Sequence, residues 1–485
     1  MAKGGSGSEH RRLLRGGSLQ AINQAWYLAL RVVYLVVFAR LLGIEQYGHY
    51  VYAQSWYLIA TSASAWGMHE LLLARWEQTS HGRRASLAAS GMALRLALAL
   101  AATLVLLFAA LLGEPDPGLR LLIVIYAQGV IARGATGWLL ALFMCRERND
   151  YVLYASAPVA LLEVAAAVAL AWSGHDLVTI ALAQTTCWWL GLAAAWHLHA
   201  HRWGPLRLQW SADTVRAFLR YGPVLALAAT LLAWFGPGLL IALRYLLPEP
   251  GRLGEVAFLL QVLAMLGQAL RMINNSALPF LTRNAGQGRQ ATFIALYWSL
   301  CFYLGGVGYL LGLELLPWLV PRLLGAGFHD AAVLLAANLW LLLPLALVQG
   351  LRLTAIARGR FKLLLLALLA GAACLAVAVA VVAGQPGAGL SGYLLGLGFA
   401  YAASALLLLF LVSRSGDAAA PATLLPAPVL LGVALLARQL LEEIAPRSAT
   451  AAAVCILCVG LIVTGRGAIL QARRLPGGDQ REETA

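Results

Sequence analysis

Five arginines, Arg31, Arg95, Arg133, Arg271 and Arg352, fall inside long apolar stretches of this 485-residue sequence. A guanidinium is always charged and offers a planar fork of donors, which matches carboxylate and phosphate oxygens two at a time. Two of the five sit with polar stripes. Around Arg31, the residues Gln20, Asn23, Gln24, Tyr27 and Tyr34 recur every three or four positions, so they share a helix face. Gln261, Gln268 and Asn275 are spaced by seven, with Arg271 close to that face. The arginines suit a phosphate-type anion, and the amides and phenols suit sugar hydroxyls and sugar faces. The sequence offers no catalytic set, because no G-x-x-x-x-G-K loop occurs and the few carboxylates outside the apolar stretches are scattered.

The elements that position these side chains are membrane helices. The composition is 61% hydrophobic and only 12% charged, which is that of a polytopic membrane protein. We read fourteen apolar spans, from 18–39 to 449–468, each near the length that crosses a bilayer. The fold class is therefore all-α, with two six-helix lobes in parallel repeat plus two C-terminal helices. The expected parts are a cytoplasmic tail at 1–17, helices 1–6 at 18–200, a cytoplasmic linker at 201–221, helices 7–12 at 222–413, helices 13–14 at 414–470, and a cytoplasmic tail at 471–485.

Arg31 lies roughly 18 Å along the first helix, close to mid-bilayer. An arginine there costs roughly 3 kcal/mol to insert. Two readings are open: a snorkelling or ion-paired arginine, or a water-filled cavity that wants positive charge. Arg133 in span four and Glu163 in span five reach similar depth and are expected to form a structural ion pair, the other reading being that Arg133 faces the cavity. Arg31 is then left without an obvious acidic partner. Arg95 and Arg352, nearer the span ends, are expected to snorkel.

The net charge of +14 does not point to nucleic acid, because the basic residues form short clusters between apolar runs. With the N-terminus inside, the outer segments hold Arg40, Arg120, Arg244, Arg252, Arg322, Arg438 and Arg447, and the inner ones about three times as many. That asymmetry places both termini in the cytoplasm. The longest inner connection, about Leu198 to Tyr221, carries His199, His201 and Arg202 and reads as a solvated basic linker rather than a metal site. Cys455 and Cys458 form a C-x-x-C inside an apolar helix with no further ligand nearby, so we expect neither metal nor cofactor.

The corner between the first two spans reads RLLGIEQYGHYVYAQSW from Arg40 to Trp56. Arg40 charges a helix end, Gly43 caps it, and Tyr47, Tyr50 and Tyr52 suit a membrane-water interface. A tight hairpin is expected. Span seven starts a second half in which Arg244 and Gly254 occupy the places of Arg40 and Gly48. Parallel repeats of this kind enclose a transport path between them. Gly236-Pro237-Gly238 breaks span seven near mid-membrane, as a packing kink or as a transport hinge.

The stretches ARLLGIEQYGHYVYA, from Ala39 to Ala53, and AWGMHELLLAR, from Ala65 to Arg75, resemble the start of oligosaccharide flippases. These form the polysaccharide-transporter branch of the multidrug/oligosaccharidyl-lipid/polysaccharide (MOP) exporter superfamily. The resemblance implies two lobes that open alternately to either side of the bacterial inner membrane. It implies a polyprenyl-diphosphate-linked oligosaccharide as substrate, for O-antigen or exopolysaccharide biosynthesis, and the polysaccharide polymerase machinery as a candidate protein partner. Related lipid II flippases use cavity cations, here Arg31 and Arg271, and a lipid groove at the two C-terminal helices. Lipid II export is the nearest alternative. A membrane polymerase or ligase is disfavoured by the short outer loops.

Overall fold

The computed structural model describes residues 6–76, 79–247, 250–283, 288–385, 390–414 and 455–457. Among the described residues the structure is helical without strands. Ten stretches among these residues are long and apolar enough to cross a membrane. The last two expected spans lie outside the described residues except for 455–457, where Leu457 is buried against Tyr303 and Leu310.

The first helix, α1 (Ser6–Ala65), contains the expected corner. At Gly43 the backbone leaves the helix with φ 74° and ψ 169°, a conformation open to glycine and strained for other residues. The chain turns back on itself there. Tyr34 and Tyr50, sixteen residues apart, bring their hydroxyls to 2.9 Å, and the Phe38 and Tyr50 ring centroids are 4.7 Å apart. A continuous helix would separate Tyr34 and Tyr50 by about 24 Å at 1.5 Å per residue. The first membrane stretch, Trp26–Ala65, is thus two antiparallel arms.

The corner tyrosines do not form an interfacial belt. Tyr47, Tyr50 and Tyr52 are all buried, and Tyr47 meets Phe258 and Phe328 edge-on at 6.4 Å. A phenol at a helix start suits a headgroup layer and a neighbouring helix equally, and here the neighbouring helices win.

The chain forms two compact units. One comprises the chain up to Val262 together with Pro321–Ala331. It holds α1, α2 (Met68–Trp76), α3 (His81–Gly113), α4 (Pro117–Ala127), α5 (Gly129–Cys145), α6 (Asn149–Trp172), α7 (Leu177–Trp203), α8 (Ala212–Ala233), α9 (Leu239–Leu246) and the start of α10 (Pro250–Arg283). The boundary falls inside α10, later than the linker.

Several local features set this unit's geometry. Asp116 and Asp176 cap α4 and α7 with their carboxylates. The Thr179 hydroxyl and N–H hold the Asp176 carboxyl below the usual range. Between α8 and α9, Trp234–Gly238 forms one π-helical turn, so Pro237 widens the helix without ending it. A Cβ on Gly238 would lie 2.5 Å from the Trp234 ring, so the wide turn needs glycine there.

His199 and His201 belong to the end of α7 rather than to a linker. His199 is buried, 5.6 Å centroid to centroid from Trp203 and 3.1 Å through Nε2 from Arg146 Nη1. Arg95 does not snorkel either. It is buried and donates to the carbonyls of Ser64 and Gly134. The Ser64 carbonyl lies next to the break where Trp66 and Gly67 take positive φ. A broken helix leaves carbonyls without partners, and Arg95 supplies donors.

The other unit holds Leu263–Val320 and the chain from Ala332 onward. Its described helices are the rest of α10, most of α11 (Gly288–Leu324) and α12 (His329–Asn338), with α13 (Leu342–Ala357), α14 (Phe361–Ala383) and α15 (Leu390–Arg414). Gly396 lets α15 approach α14, since a Cβ there would sit 2.6 Å from that of Ala378. Buried Trp298 donates its indole N–H to Thr354 Oγ1 at 3.0 Å.

Candidate functional site

Three spans of the first unit bring Arg31, Arg133 and Glu163 together. Arg31 lies on the first arm of α1, which packs against α5 and α6, the helices of Arg133 and Glu163. Arg133, half-buried on α5, stands over the Trp188 ring at 5.4 Å, a cation–π distance. Trp188 stacks on Tyr57 with centroids 4.8 Å apart. A Cβ on Gly129 would overlap the Trp188 ring, so glycine is needed for the ring to sit there. α6, which carries Glu163, packs against both α1 and α5.

A neutral polar network adjoins it. Gln184 on α7 donates through Nε2 to Tyr34 at 2.8 Å and to Tyr50 at 3.1 Å, and accepts at Oε1 from Tyr126 at 2.6 Å. Gln54 Nε2 donates to the Tyr50 hydroxyl at 2.5 Å. Tyr27 donates to the Ser156 carbonyl at 3.2 Å. Of the polar face expected on the first helix, Tyr27 and Tyr34 thus face the other helices of this unit. The side chains of Asn23 and Gln24 lie outside the described residues, as do those of Arg271 and Asn275 on α10. Gln261 and Gln268 are half-buried and fall in different units.

Sequence reading missed Gln54, Tyr57, Gln184 and Trp188. Gln184 carried a usable signal, as an amide in an apolar span. Trp188 did not, because an aromatic ring in an apolar helix reads as packing.

At the hairpin end this unit is closed. A Cβ on Gly48 would lie 2.7 Å from Gly254 Cα, and one on Gly254 would overlap the Ile44 carbonyl. The two glycines that correspond in the two halves are thus in direct backbone contact. Tyr47, Phe258 and Phe328 pack beside them, the last two with centroids 5.6 Å apart. Arg40 donates to the Leu323 carbonyl at 3.3 Å. Among the described residues no three His, Cys, Asp or Glu side chains form a group able to hold a metal.

The polysaccharide biosynthesis protein family matches residues 13–285, more than half of the chain. No curated protein matches the sequence. Solved structures share the fold at low identity. Lipid II flippase MurJ in an inward closed conformation is 10% identical, covering 94% of this chain and 100% of that one, with a TM-score of 0.67. An inward-facing multidrug resistance MATE family transporter of the MOP superfamily is 12% identical over 83% of this chain and 98% of that one, with a TM-score of 0.62. A MOP superfamily transporter from Pyrococcus furiosus is 13% identical over 83% and 96%, with a TM-score of 0.55.

Proposed function

We propose, from the premise that this chain belongs to the polysaccharide biosynthesis protein family and has the fold of MOP transporters, that it is a lipid-linked oligosaccharide flippase. It carries a polyprenyl-diphosphate-linked oligosaccharide across the bacterial inner membrane by alternating access, for O-antigen or exopolysaccharide assembly. Both termini are cytoplasmic, so the hairpin end faces the periplasm.

The observation that carries this reading is the Arg31–Arg133–Glu163 group. Arg31, Arg133 and Glu163 lie in apolar spans whose helices pack against one another. At roughly 3 kcal/mol each, such residues are retained where an anion or water meets them. A diphosphate presents several anionic oxygens to guanidinium forks. Tyr27 and Tyr34 supply aromatic faces of the kind sugars pack on. In the sequence, Gln261, Gln268 and Asn275 at a spacing of seven, with Arg271, are the corresponding candidates. Substrate enters from the cytoplasmic side.

The test is to replace Arg31 and Arg271 by alanine at native expression. Each variant should accumulate normally, lose surface glycan and build up lipid-linked oligosaccharide in the inner leaflet, with lysine partly active. Normal surface glycan in the double variant overturns the reading. A second reading, lipid II-type export, is favoured by one observation: the MurJ fold covers 94% of this chain against 83% for the MATE fold. Both readings use a polyprenyl diphosphate, and competition between the two lipids in a flipping assay separates them.

A further inference from the structure

The transport reading leaves unused a buried carboxylate at the hairpin end. Glu114 follows α3, and its side chain is completely buried. Tyr52, on the second arm of α1, donates its hydroxyl to Oε2 at 2.5 Å. The Asp116 N–H donates to Oε1 at 3.2 Å, and Arg244 of α9 places Nη2 4.0 Å from the same oxygen. Arg120 on α4 turns instead to the Glu114 backbone carbonyl, at 2.6 and 3.0 Å. Tyr245, next to Arg244, donates to the Gly113 carbonyl at 3.1 Å, and its hydroxyl stands 3.5 Å from that of Tyr52. The segments meeting here are the second arm of α1, the α3–α4 connection with α4, and α9.

The placement of α9 gives this cluster its consequence. It is one eight-residue helix, joined to α8 through the π-helical turn at Trp234–Gly238. A π-turn is a position where a helix can change direction. At its other end, Arg244 and Tyr245 tie α9 to the loop after α3. Arg244 bears the only formal positive charge that α9 carries, and Glu114 is the carboxylate it meets. A charge pair with a buried partner resists separation, because opening it leaves a desolvated charge.

We propose that Glu114 is a charge latch that holds α9 against α1 and the α3–α4 connection, and that the latch must release for the hairpin end to open. The Glu114 carboxylate is the fixed half, anchored by Tyr52 and the Asp116 N–H. Arg244 is the mobile half, carried by α9. This deepens the transport reading and rests on it for the meaning of opening, but the latch itself is measurable without substrate.

The experiment uses the full-length protein in lipid nanodiscs, without its native cysteines and with Leu243→Cys on α9. Leu243 is fully buried in the latched state. Labelling by a membrane-impermeant maleimide then reports release. Glu114→Gln and Arg244→Gln should each raise the labelling rate on the order of tenfold or more. Tyr52→Phe, which keeps both charges, should give a smaller rise. If Glu114→Gln does not fold, Arg244→Gln and Tyr52→Phe carry the test. Parent labelling rates in the folded variants overturn the latch. Flipping with unaffected labelling sinks the latch alone. Released labelling in a protein that flips no polyprenyl diphosphate sinks the transport reading alone.

Discussion

Replacing Gly254 by alanine should bias the protein away from closure at the hairpin end. The added methyl meets the Ile44 carbonyl, and its counterpart on Gly48 would stand 2.7 Å from Gly254 Cα. Ordinary carbon contacts lie at ~3.5 Å or more, so the two backbones must separate by about 1 Å. Both sides are main chain, which cannot swing away as a flexible side chain would. Overpacking of this kind costs about 1–3 kcal/mol. If the open state lacks the contact, the closed-to-open ratio falls by roughly 5- to 150-fold. The assay is maleimide labelling, from the hairpin side, of a cysteine at Val51, which is buried beside the closed end. Gly254→Ala and Gly48→Ala should both speed labelling. Gly82→Ala, where a Cβ meets nothing within 4 Å, should leave it unchanged. Unchanged labelling in a folded Gly254→Ala protein would refute the reasoning, because the closed end would then not depend on that contact.

Other outcomes follow from the same unit. Gln184→Leu strips Tyr34, Tyr50 and Tyr126 of a shared amide in a buried setting. It should lower unfolding stability by about 1–3 kcal/mol for each phenol left without a partner, read by thermal denaturation in detergent. Arg133→Ala separates the two roles open to that residue. A structural ion pair predicts lower thermal stability, partly restored in R133E/E163R, whereas a cavity role predicts a stable protein that transports poorly. Trp188→Ala removes the ring beneath Arg133 and should weaken substrate binding more than it lowers expression, measured as affinity against protein yield.

What the sequence made legible was whatever a short stretch carries by itself. Arg40, Gly43 and the tyrosines after them marked the hairpin, and Gly43 does supply the positive φ. Gly236-Pro237-Gly238 marked an irregularity in span seven. Its form, one wide turn in a continuing helix, depends on Trp234 filling the space at Gly238. The polar stripe on the first helix led to Arg31, Tyr27 and Tyr34. Their partners stayed hidden, because Gln184 is 150 residues from Tyr34 and Ser156 is 129 from Tyr27. The burial of Tyr47 and of Arg95 was hidden for a different reason. Amphipathic side chains near a helix end satisfy themselves in headgroups or in protein, and only packing decides between them. Glu114 read as an ordinary loop carboxylate, since nothing local announces Tyr52 or Arg244.

In the proposed function this protein moves a polyprenyl-diphosphate-linked oligosaccharide and uses Arg31 to hold its diphosphate. The direct measurement is flipping of a fluorescent polyprenyl-diphosphate oligosaccharide in proteoliposomes, read by quenching from outside. Wild-type protein should expose the lipid faster than protein-free vesicles. Arg31→Ala should fall to the protein-free rate while retaining wild-type thermal stability, and Arg31→Lys should lie between. A protein-free rate for the wild type, or a wild-type rate for Arg31→Ala, would contradict the account.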